Sequence, residues 1–347
     1  MKIGIANDLT LAIESLKSAL IATPEHEIIW IAKDGVETVQ RCAEETPDLI
    51  LMDLIMPKMD GVEATRRIMK STPCAILIVT ASVGINSSKV FEAMGVGALD
   101  AVSTPVFGEE GNGNVRILLR KINSIGKLIG ASNIQPPKTP FRVPSAKNSH
   151  THHDCIVAIG CSTGGPQALA NILSLLPADL PASIVVIQHM NQKFTSDLSG
   201  WLNSKTKLNV CLLKEGDRPR PGTVLIPSTD KHAILTPNNS IIYTDDKNQN
   251  FYHPSVDVFF HSVVQNWKGN CIGILLTGMG KDGAQGLLAL RQRGWTTIAQ
   301  DKSSSVVFGM PKAAIDLEAA EFILPIDSIG FTLTNLLSIQ QKKTNND

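Results

Sequence analysis

Short apolar runs alternate with amphipathic stretches along most of the chain, and this pattern predicts alternating strands and helices. In the first half, the predicted strands cover residues 2–6, 28–32, 49–52, 74–79 and 98–102. Predicted helices between them include residues 10–21 and 61–70. Strand–helix alternation is typical of a parallel sheet that is covered by helices on both faces.

The second half repeats this style, with predicted strands at residues 155–159, 183–187, 208–213, 271–276 and 296–299. A turn-rich insert at residues 222–246 is predicted to form antiparallel hairpins. A proline-rich segment, QPPKTPFRVPSAKNSHTHH, separates the two halves and has the composition of a linker. The sequence therefore predicts two α/β domains, at residues 1–130 and 154–340, with a linker at 131–153 and a flexible tail at 341–347.

Composition narrows the possible classes of protein. The chain has 347 residues, of which 43% are apolar and 18% charged, which excludes wholesale disorder. Lys and Arg balance Asp and Glu at 32 each, so there is no charge excess for binding nucleic acid. Apolar runs are too short for a membrane span, the amino terminus lacks a secretory core, and the cysteines form no CxxC pair. We therefore expect a cytoplasmic monomer with reduced cysteines and no membrane insertion.

In the first half, polar residues follow the predicted strands at Asp8, Asp53, Thr80 and Thr104. In an open parallel sheet, functional groups gather beyond the carboxyl ends of the strands. Two close carboxylates there can bind Mg²⁺, and one of them can attack a phosphoryl donor. Thr80 would then hydrogen-bond the phosphoryl oxygens. The alternative for Asp53 is a strand-end turn or a helix cap.

The residues around Asp53, LILMDLIMPKMDG, resemble the phosphoacceptor segment of response-regulator receiver domains. The resemblance covers residues 1 to about 128 and implies a flavodoxin-like fold. It implies Asp53 as the phosphoacceptor, a histidine kinase as the phosphodonor, and Mg²⁺ held by Asp8, Asp53 and the backbone carbonyl of Ile55. Thr80 takes the phosphoryl-binding position.

Three positions depart from the receiver pattern. Asn7 stands where the family usually has a second acidic residue, which lowers the negative charge of the site and weakens Mg²⁺ binding. Thr104 replaces the usual lysine before Pro105 and cannot pair with the phosphoryl charge. Ala101 replaces the aromatic switch residue. Phosphorylation is still expected, but its usual route of transmission is altered.

The second domain opens with a buried strand, the turn GCSTGGP and a helix. This layout places Ser162 at a strand end before a helix start, where free backbone N–H groups can hold an oxyanion. A glycine-rich dinucleotide-binding turn is the alternative. The next strand ends in Gln188 and His189 rather than in the acidic residue that a ribose requires. His189 therefore indicates a general base for Ser162.

Other histidines are less well placed for that role, because they lie in the linker, in the receiver half or beside apolar stretches: His150, His152 and His153; His26; His232, His253 and His261. Asp282 lies in the glycine-rich turn TGMGKDGAQG after another buried strand. It could orient His189 as the third member of a triad, or it could cap the helix that begins near Gly283.

The segments GCSTGGP, QHM, TGMGKDGAQG, HPSVDVFFHSV and IPSTDKHAIL resemble the catalytic domain of chemotaxis protein-glutamate methylesterases, a Rossmann-like domain. The resemblance implies Ser162 as nucleophile, His189 as base and Asp282 as orienting residue. Thr163 and the backbone amide of Met279 would lie in the pocket, the latter as an oxyanion donor. No cofactor is implied for this domain.

Together the two resemblances imply a phosphorylation-regulated esterase that acts on chemoreceptor glutamate γ-methyl esters and deamidates specific receptor glutamines. The unphosphorylated receiver would cover the active-site cleft. The departures at Asn7 and Thr104 resemble a subset that serves alternative chemosensory pathways, such as the wrinkly-spreader type. A non-catalytic binding module is the alternative, whereas a transcriptional regulator would need a recognition helix that the sequence lacks.

Overall fold

In the computed structural model the chain divides into two compact units, Met1–Ile134 and Gln135–Asp347. The structure describes residues 1–21, 23, 25–81, 87–105, 111–129, 155–245 and 252–344. The predicted linker lies outside the described residues, as do residues 345–347 of the predicted tail. None of the helices in the described part of the chain is long and apolar enough to cross a membrane.

The first unit is a five-stranded parallel sheet with the order β2-β1-β3-β4-β5. Its strands are β1 (Lys2–Ala6), β2 (Glu27–Ala32), β3 (Leu49–Met52), β4 (Ala75–Thr80) and β5 (Asp100–Ser103). Its helices are α1 (Thr10–Ile21), α2 (Gly35–Glu44), α3 (Gly61–Ser71), α4 (Ser87–Gly95) and α5 (Gly111–Ile129). This strand order confirms the flavodoxin-like prediction.

Burial explains why these segments form strands and helices. All four residues of β3 are buried, as expected for a central parallel strand that is covered on both faces. The following helix, α3, begins where the Asp60 carboxylate accepts a hydrogen bond from the Glu63 N–H at 3.0 Å. The strand end and the helix start thus leave a short loop, in which Asp53 lies.

The second unit contains a seven-stranded parallel sheet with the order β14-β13-β12-β6-β7-β9-β8. Its strands and hairpin are β6 (Cys155–Cys161), β7 (Ser183–Gln188), β8 (Asn209–Leu213), β9 (Thr223–Pro227), β10 (His232–Leu235), β11 (Ile241–Thr244), β12 (Asn270–Leu275), β13 (Thr296–Gln300) and β14 (Phe322–Leu324). Its helices are α6 (Gly165–Ser174), α7 (Thr195–Asn203), α8 (Val256–Asn266), α9 (Ala284–Gln292), α10 (Met310–Asp316) and α11 (Ile326–Thr344).

Part of the prediction for the insert at residues 222–246 is wrong. The strand β9 pairs in parallel with both β7 and β8 in the main sheet, and β10 and β11 form the antiparallel hairpin. Gly222 and Pro227 flank a short apolar run, and such residues are typical of the turns of a hairpin. The burial of nearly all of β9 instead fits a strand inside the main sheet. The edge strand β14 was not predicted, since three residues are too few to show a period. The last helix, α11, extends to Thr344, into the predicted tail.

The strand order of the second unit creates a natural binding position. The chain moves from β6 to β7 on one side, and β12 pairs with β6 on the other side. The direction of the order therefore reverses at β6, and ligands of open α/β sheets bind at such a switch point. The carboxyl ends of β6, β7 and β12 meet there.

Candidate active site and phosphoacceptor site

Ser162 follows the central strand β6 directly. Its backbone N–H donates to the Thr277 carbonyl at 3.0 Å, which ties it to the end of β12. Its carbonyl accepts from the Gly165 N–H at 2.8 Å and from Gln188 Nε2 at 2.9 Å. The left-handed Gly164, with φ of 78°, turns the chain sharply into α6. Ser162 is consequently a half-buried residue on a backbone fixed from both neighbouring strands.

His189 lies beside Ser162 at the same sheet edge. Cys161 and Gln188 are register partners, and the His189 N–H donates to the Cys161 carbonyl at 3.0 Å. The imidazole Nε2 lies 2.7 Å from Asp282 Oδ2. Because an ionised carboxylate only accepts, Nε2 carries the proton and Nδ1 keeps its lone pair. Nδ1 is buried and has no hydrogen-bond partner among the described residues, so it is available as a base.

Asp282 accepts four hydrogen bonds, two on each carboxylate oxygen. Oδ1 accepts from Ser255 Oγ at 2.8 Å and from the Asp257 N–H at 3.1 Å. Oδ2 accepts from the Val256 N–H and from His189 Nε2, both at 2.7 Å. Burial alone would raise the pKa of Asp282, but the His189 bond and charge and the helix donors outweigh it and lower that pKa. The carboxylate is thus held in its charged form.

The alternative role of Asp282, as the cap of its own following helix, is not what the geometry shows. That helix, α9, begins at Ala284 after the left-handed Gly283, and no side chain caps it. The carboxylate instead receives the first backbone N–H groups of α8, a helix from an earlier part of the chain. Asp282 therefore connects His189 to the amino terminus of α8.

Thr163 and Met279 lie in the adjoining turns. Thr163 is buried, and its carbonyl accepts from Thr277 Oγ1 at 2.9 Å. A Cβ on Gly278 would approach the Ser162 Cβ to 2.8 Å, so that only glycine allows this close approach. Met279 is the next residue of that turn. The predicted oxyanion donor therefore belongs to the turn whose Gly278 lies against Ser162.

Sequence reasoning missed three residues that support this site. Gln188 Nε2 donates to the Ser162 carbonyl, and Ser255 donates to Asp282. The Tyr252 ring stacks on the His189 imidazole, with centroids 4.7 Å apart and an interplanar angle of 13°. Ser255 carries a recognisable signal, because a serine before an apolar helical run predicts an N-cap. That signal says nothing about the carboxylate that the hydroxyl contacts.

The phosphoacceptor candidates meet at the carboxyl edge of the first sheet. β1 and β3 are neighbours, and the Asp53 N–H donates to the Ala6 carbonyl at 2.8 Å. Asn7 Nδ2 donates to Asp53 Oδ2 at 3.1 Å, and the Leu54 N–H donates to Oδ1 at 2.7 Å. Burial, to which the Asp8 charge adds, raises the pKa of Asp53 to about 6.

The oxygen atoms at and around Asp53 are suitable ligands for a hard cation. The Asp8 and Asp53 carboxylates and the Ile55 carbonyl offer the oxygen ligands that Mg²⁺ prefers. The described residues contain no cluster of three or more His, Cys, Asp or Glu that could hold a metal ion. With two carboxylates and one carbonyl as ligands, Mg²⁺ would have coordination positions left for water and phosphoryl oxygens. Because the Asp8 charge disfavours ionised Asp53, a cation between them would relieve that repulsion, and the residues fit the ion.

The other receiver candidates are also at this edge. Thr80 is the last residue of β4 and is buried. Thr104 follows β5, and its N–H donates to the Thr80 carbonyl at 3.0 Å. The Thr104 hydroxyl is buried without a hydrogen-bond partner in the described part of the chain. Ala101 lies within β5, buried, where the receiver family has an aromatic residue.

Comparisons with known proteins agree with both halves of this description. The CheB methylesterase family model matches residues 157–333, and the response regulator receiver domain model matches residues 3–112. A protein-glutamate methylesterase/protein-glutamine glutaminase of Pseudomonas syringae is 52% identical over 333 residues, covering 95% of this chain and 97% of the relative. A protein of the same description from Burkholderia thailandensis is 48% identical over 344 residues, covering 99% of each chain.

The second unit also has a solved structural counterpart. The CheB methylesterase catalytic domain of Thermotoga maritima matches with a TM-score of 0.50 and 39% identity, over 52% of this chain and 97% of that chain. Sequence relatives, family models and this structure all describe the same two-part architecture. The chain therefore belongs to the family of receiver-linked protein-glutamate methylesterases/protein-glutamine glutaminases.

Proposed function

We propose that this chain is a phosphorylation-regulated serine esterase that hydrolyses glutamate γ-methyl esters on the cytoplasmic helices of chemoreceptors. Specific receptor glutamines would be deamidated by the same residues, since amides and esters pass through similar tetrahedral intermediates. The names of the relatives support this reaction class. The observation that carries the proposal is the His189 ring, which follows the strand next to Ser162. Asp282 holds this ring at Nε2, and Nδ1 has no hydrogen-bond partner among the described residues.

In the first step, the Ser162 hydroxyl rotates toward His189 and gives its proton to Nδ1 while Oγ bonds to the ester carbonyl carbon. Asp282 stabilises the imidazolium that results, because its carboxylate already accepts the Nε2 proton. The carbonyl oxygen becomes an oxyanion, for which the Met279 backbone N–H is the donor and Thr163 lines the pocket. Donors placed for the charged oxygen lower the barrier more than donors placed for the substrate.

In the second step, the imidazolium returns its proton to the departing methoxy oxygen, and methanol leaves an acyl-Ser162 ester. Water then gives a proton to Nδ1 of His189 and attacks the acyl carbon. Collapse of this second intermediate returns the proton to Ser162 Oγ and releases glutamate. A glutamine substrate follows the same course with ammonia as the leaving group.

In the receiver, ionised Asp53 would accept the phosphoryl group from a histidine kinase, with the Thr80 hydroxyl as a ligand of the phosphoryl oxygens. Asp8, Asp53 and the Ile55 carbonyl would hold Mg²⁺, which supplies positive charge next to the phosphoryl oxygens when bound. The unphosphorylated receiver would inhibit the esterase, and phosphorylation would relieve that inhibition. We also propose a cytoplasmic, monomeric protein.

A non-catalytic binding module is less well supported, because a protein that has lost catalysis needs neither the His189–Asp282 bond nor a left-handed turn after Ser162. The test is methanol release from methylated receptor membranes, with and without acetyl phosphate as phosphodonor. We expect Ser162→Ala to abolish release and Ser174→Ala, on the exposed face of the next helix, to retain it. Asp53→Asn should retain basal release and lose the response to acetyl phosphate.

Release by wild type that Ser162→Ala does not affect would overturn the serine mechanism. Absence of release from several receptor types would instead favour the binding module. Release without a response to acetyl phosphate would leave the esterase in place and contradict the regulation.

A further inference from the structure

Ser255 is bonded to the Asp282 carboxylate although it lies 27 residues earlier in the chain. Each oxygen of that carboxylate accepts two hydrogen bonds, the number that its lone pairs allow. Two of the four donors are backbone N–H groups of α8 and one is His189. Ser255 supplies the remaining donor, so its hydroxyl completes the shell that fixes the rotation of the carboxylate.

The Ser255 hydroxyl is itself held in one orientation. As the N-cap of α8, its oxygen accepts from the Val258 N–H at 3.3 Å. The Ser255 backbone N–H donates to His232 Nδ1 at 3.0 Å, and the residue is only 3% exposed. Because the oxygen is occupied by the helix, the hydroxyl proton points to Asp282. The side chain is therefore a directed donor rather than a freely rotating one.

At the start of each of the helices α8 and α9, a carboxylate accepts a hydrogen bond from the backbone of the other helix. Asp282, just before α9, accepts from the first turn of α8, while Asp257 in α8 accepts from the Gly286 N–H of α9 at 2.6 Å. Burial, and then the nearby Asp282 charge, raise the pKa of Asp257. Among the described residues, His189 contacts Asp282, His261 lies close enough to lower the pKa of Asp257, and His232 accepts from the Ser255 N–H. The hydrogen-bond donors that each carboxylate receives therefore favour the charged form of Asp282 more than that of Asp257.

We propose that Ser255 is a positioning residue of the esterase, which holds the Asp282 carboxylate in the orientation that keeps His189 Nδ1 free to act as a base. This inference rests on the proposed function of the three catalytic residues. Ser255 acts through Asp282 and contacts no reacting atom in this mechanism.

Removing the hydroxyl should affect catalysis in a recognisable way. A carboxylate with one donor fewer rotates more freely, so we expect Ser255→Ala to lower kcat about tenfold, with KM unchanged. That carboxylate also binds the Nε2 proton more strongly. The imidazole is then protonated at higher pH, and the acid limb of the kcat/KM profile moves upward. Ser255→Thr keeps the hydroxyl and should restore both values.

Ser262→Ala is a matched control in the same helix. Ser262 is also buried, and its hydroxyl accepts from the Leu235 N–H at 2.9 Å and donates to the Phe259 carbonyl at 2.7 Å. Its loss should lower the melting temperature and leave the pH profile unchanged. The measurement is methanol release by the full chain between pH 5 and about pH 9, a range that includes the usual histidine titration. If Ser255→Ala kept the wild-type kcat and acid limb, or if Ser262→Ala moved that limb equally, the proposal would be overturned.

A ¹H NMR measurement needs no substrate, so it tests the role of Ser255 independently of the proposed function. The proton between His189 Nε2 and Asp282 should give a low-field ¹H resonance, which its loss in His189→Gln would assign. Ser255→Ala should move this resonance and Ser262→Ala should not, even if the chosen receptors release no methanol. If Ser255→Ala does not fold, Ser255→Gly removes the hydroxyl while retaining a favoured N-cap residue. An unmoved resonance in the folded variant would reject the positioning role.

Discussion

Asp282 and Asp53 are buried to nearly the same depth, 5% and 7% exposed, at the carboxyl edges of two parallel sheets. Their pKa values nevertheless shift in opposite directions, down for Asp282 and up to about 6 for Asp53. Asp282 meets an imidazole, a hydroxyl and the start of a helix. Asp53 has fewer donors and a second carboxylate, Asp8, nearby. Because the two side chains are buried alike, the neighbouring donors and charges decide the direction in which each pKa shifts.

The difference suits two different tasks. Asp282 has every hydrogen-bonding position occupied and has to stay ionised and still while His189 gains and loses a proton. Asp53 receives fewer donors than Asp282 in the described part of the chain, which leaves lone pairs for a cation. Stable orientation and readiness to react therefore require opposite surroundings for the same side chain.

The largest expected effect comes from replacing the orienting carboxylate. Asp282→Asn should lower kcat by about 10⁴-fold, because an amide can donate to the ring and stabilise the wrong tautomer. Asp53→Asn should leave kcat unchanged in the absence of a phosphodonor. Methanol release under single-turnover conditions checks both variants. A loss below tenfold for Asp282→Asn would show that His189 is oriented by other contacts.

The same pair of substitutions should change stability with opposite signs. The lowered pKa of Asp282 stabilises the folded esterase above the unfolded-state pKa, and this contribution is lost as pH falls through the folded value. The raised pKa of Asp53 destabilises the receiver above about pH 6, and this cost disappears in acid. At pH 7, Asp53→Asn should stabilise the receiver by about 2 kcal/mol, and Asp282→Asn should destabilise the esterase domain.

Differential scanning calorimetry of the full chain, in Mg²⁺-free buffer, follows each variant's transition. Repeating the scans at pH 4 provides the control, because the Asp53→Asn gain should shrink there. Two shifts of the same sign at pH 7 would contradict the comparison.

The smallest expected effect concerns two threonines at strand ends. Thr104 has a buried hydroxyl without a partner among the described residues, whereas Thr277 Oγ1 donates to the Thr163 carbonyl and accepts from the Val307 N–H at 2.8 Å. Thr104→Val should therefore stabilise the receiver by about 1 kcal/mol, since it removes an unsatisfied polar group. Thr277→Val should destabilise the esterase domain by about 2 kcal/mol. Calorimetric melting temperatures check the pair, and a destabilised Thr104→Val would indicate that this hydroxyl is satisfied.

Much of the fold follows from local pattern. The strands β1 and β3 and the helix α1 have the predicted bounds, because continuous buried runs and helical spacing mark where each begins and ends. The same signals placed Asp53, Ser162 and His189 at strand ends. The prediction failed at β9, where flanking glycine and proline imitate a hairpin, and at β14, where three residues show no period.

The candidate site was predictable to a similar extent. Its residue types and their strand-end positions indicated a nucleophile, a base and a carboxylate before any contact was known. The two readings of Asp282, as a cap or as an orienting residue, could not be separated at that level, since both require an aspartate in a glycine-rich turn. The bonds to Ser255 and to the start of α8 separate them.

By itself, the sequence determined which side chains stand at the carboxyl ends of buried strands, because hydrophobic periodicity is a property of neighbouring residues. Only the tertiary structure decided what those side chains touch. His189 and Asp282 are 93 residues apart in the chain and 2.7 Å apart in space, and Ser255 reaches the same carboxylate from another helix. Strand order and helix packing create such contacts, and the charge and orientation of Asp282 follow from them, since electrostatic effects depend on distance through space.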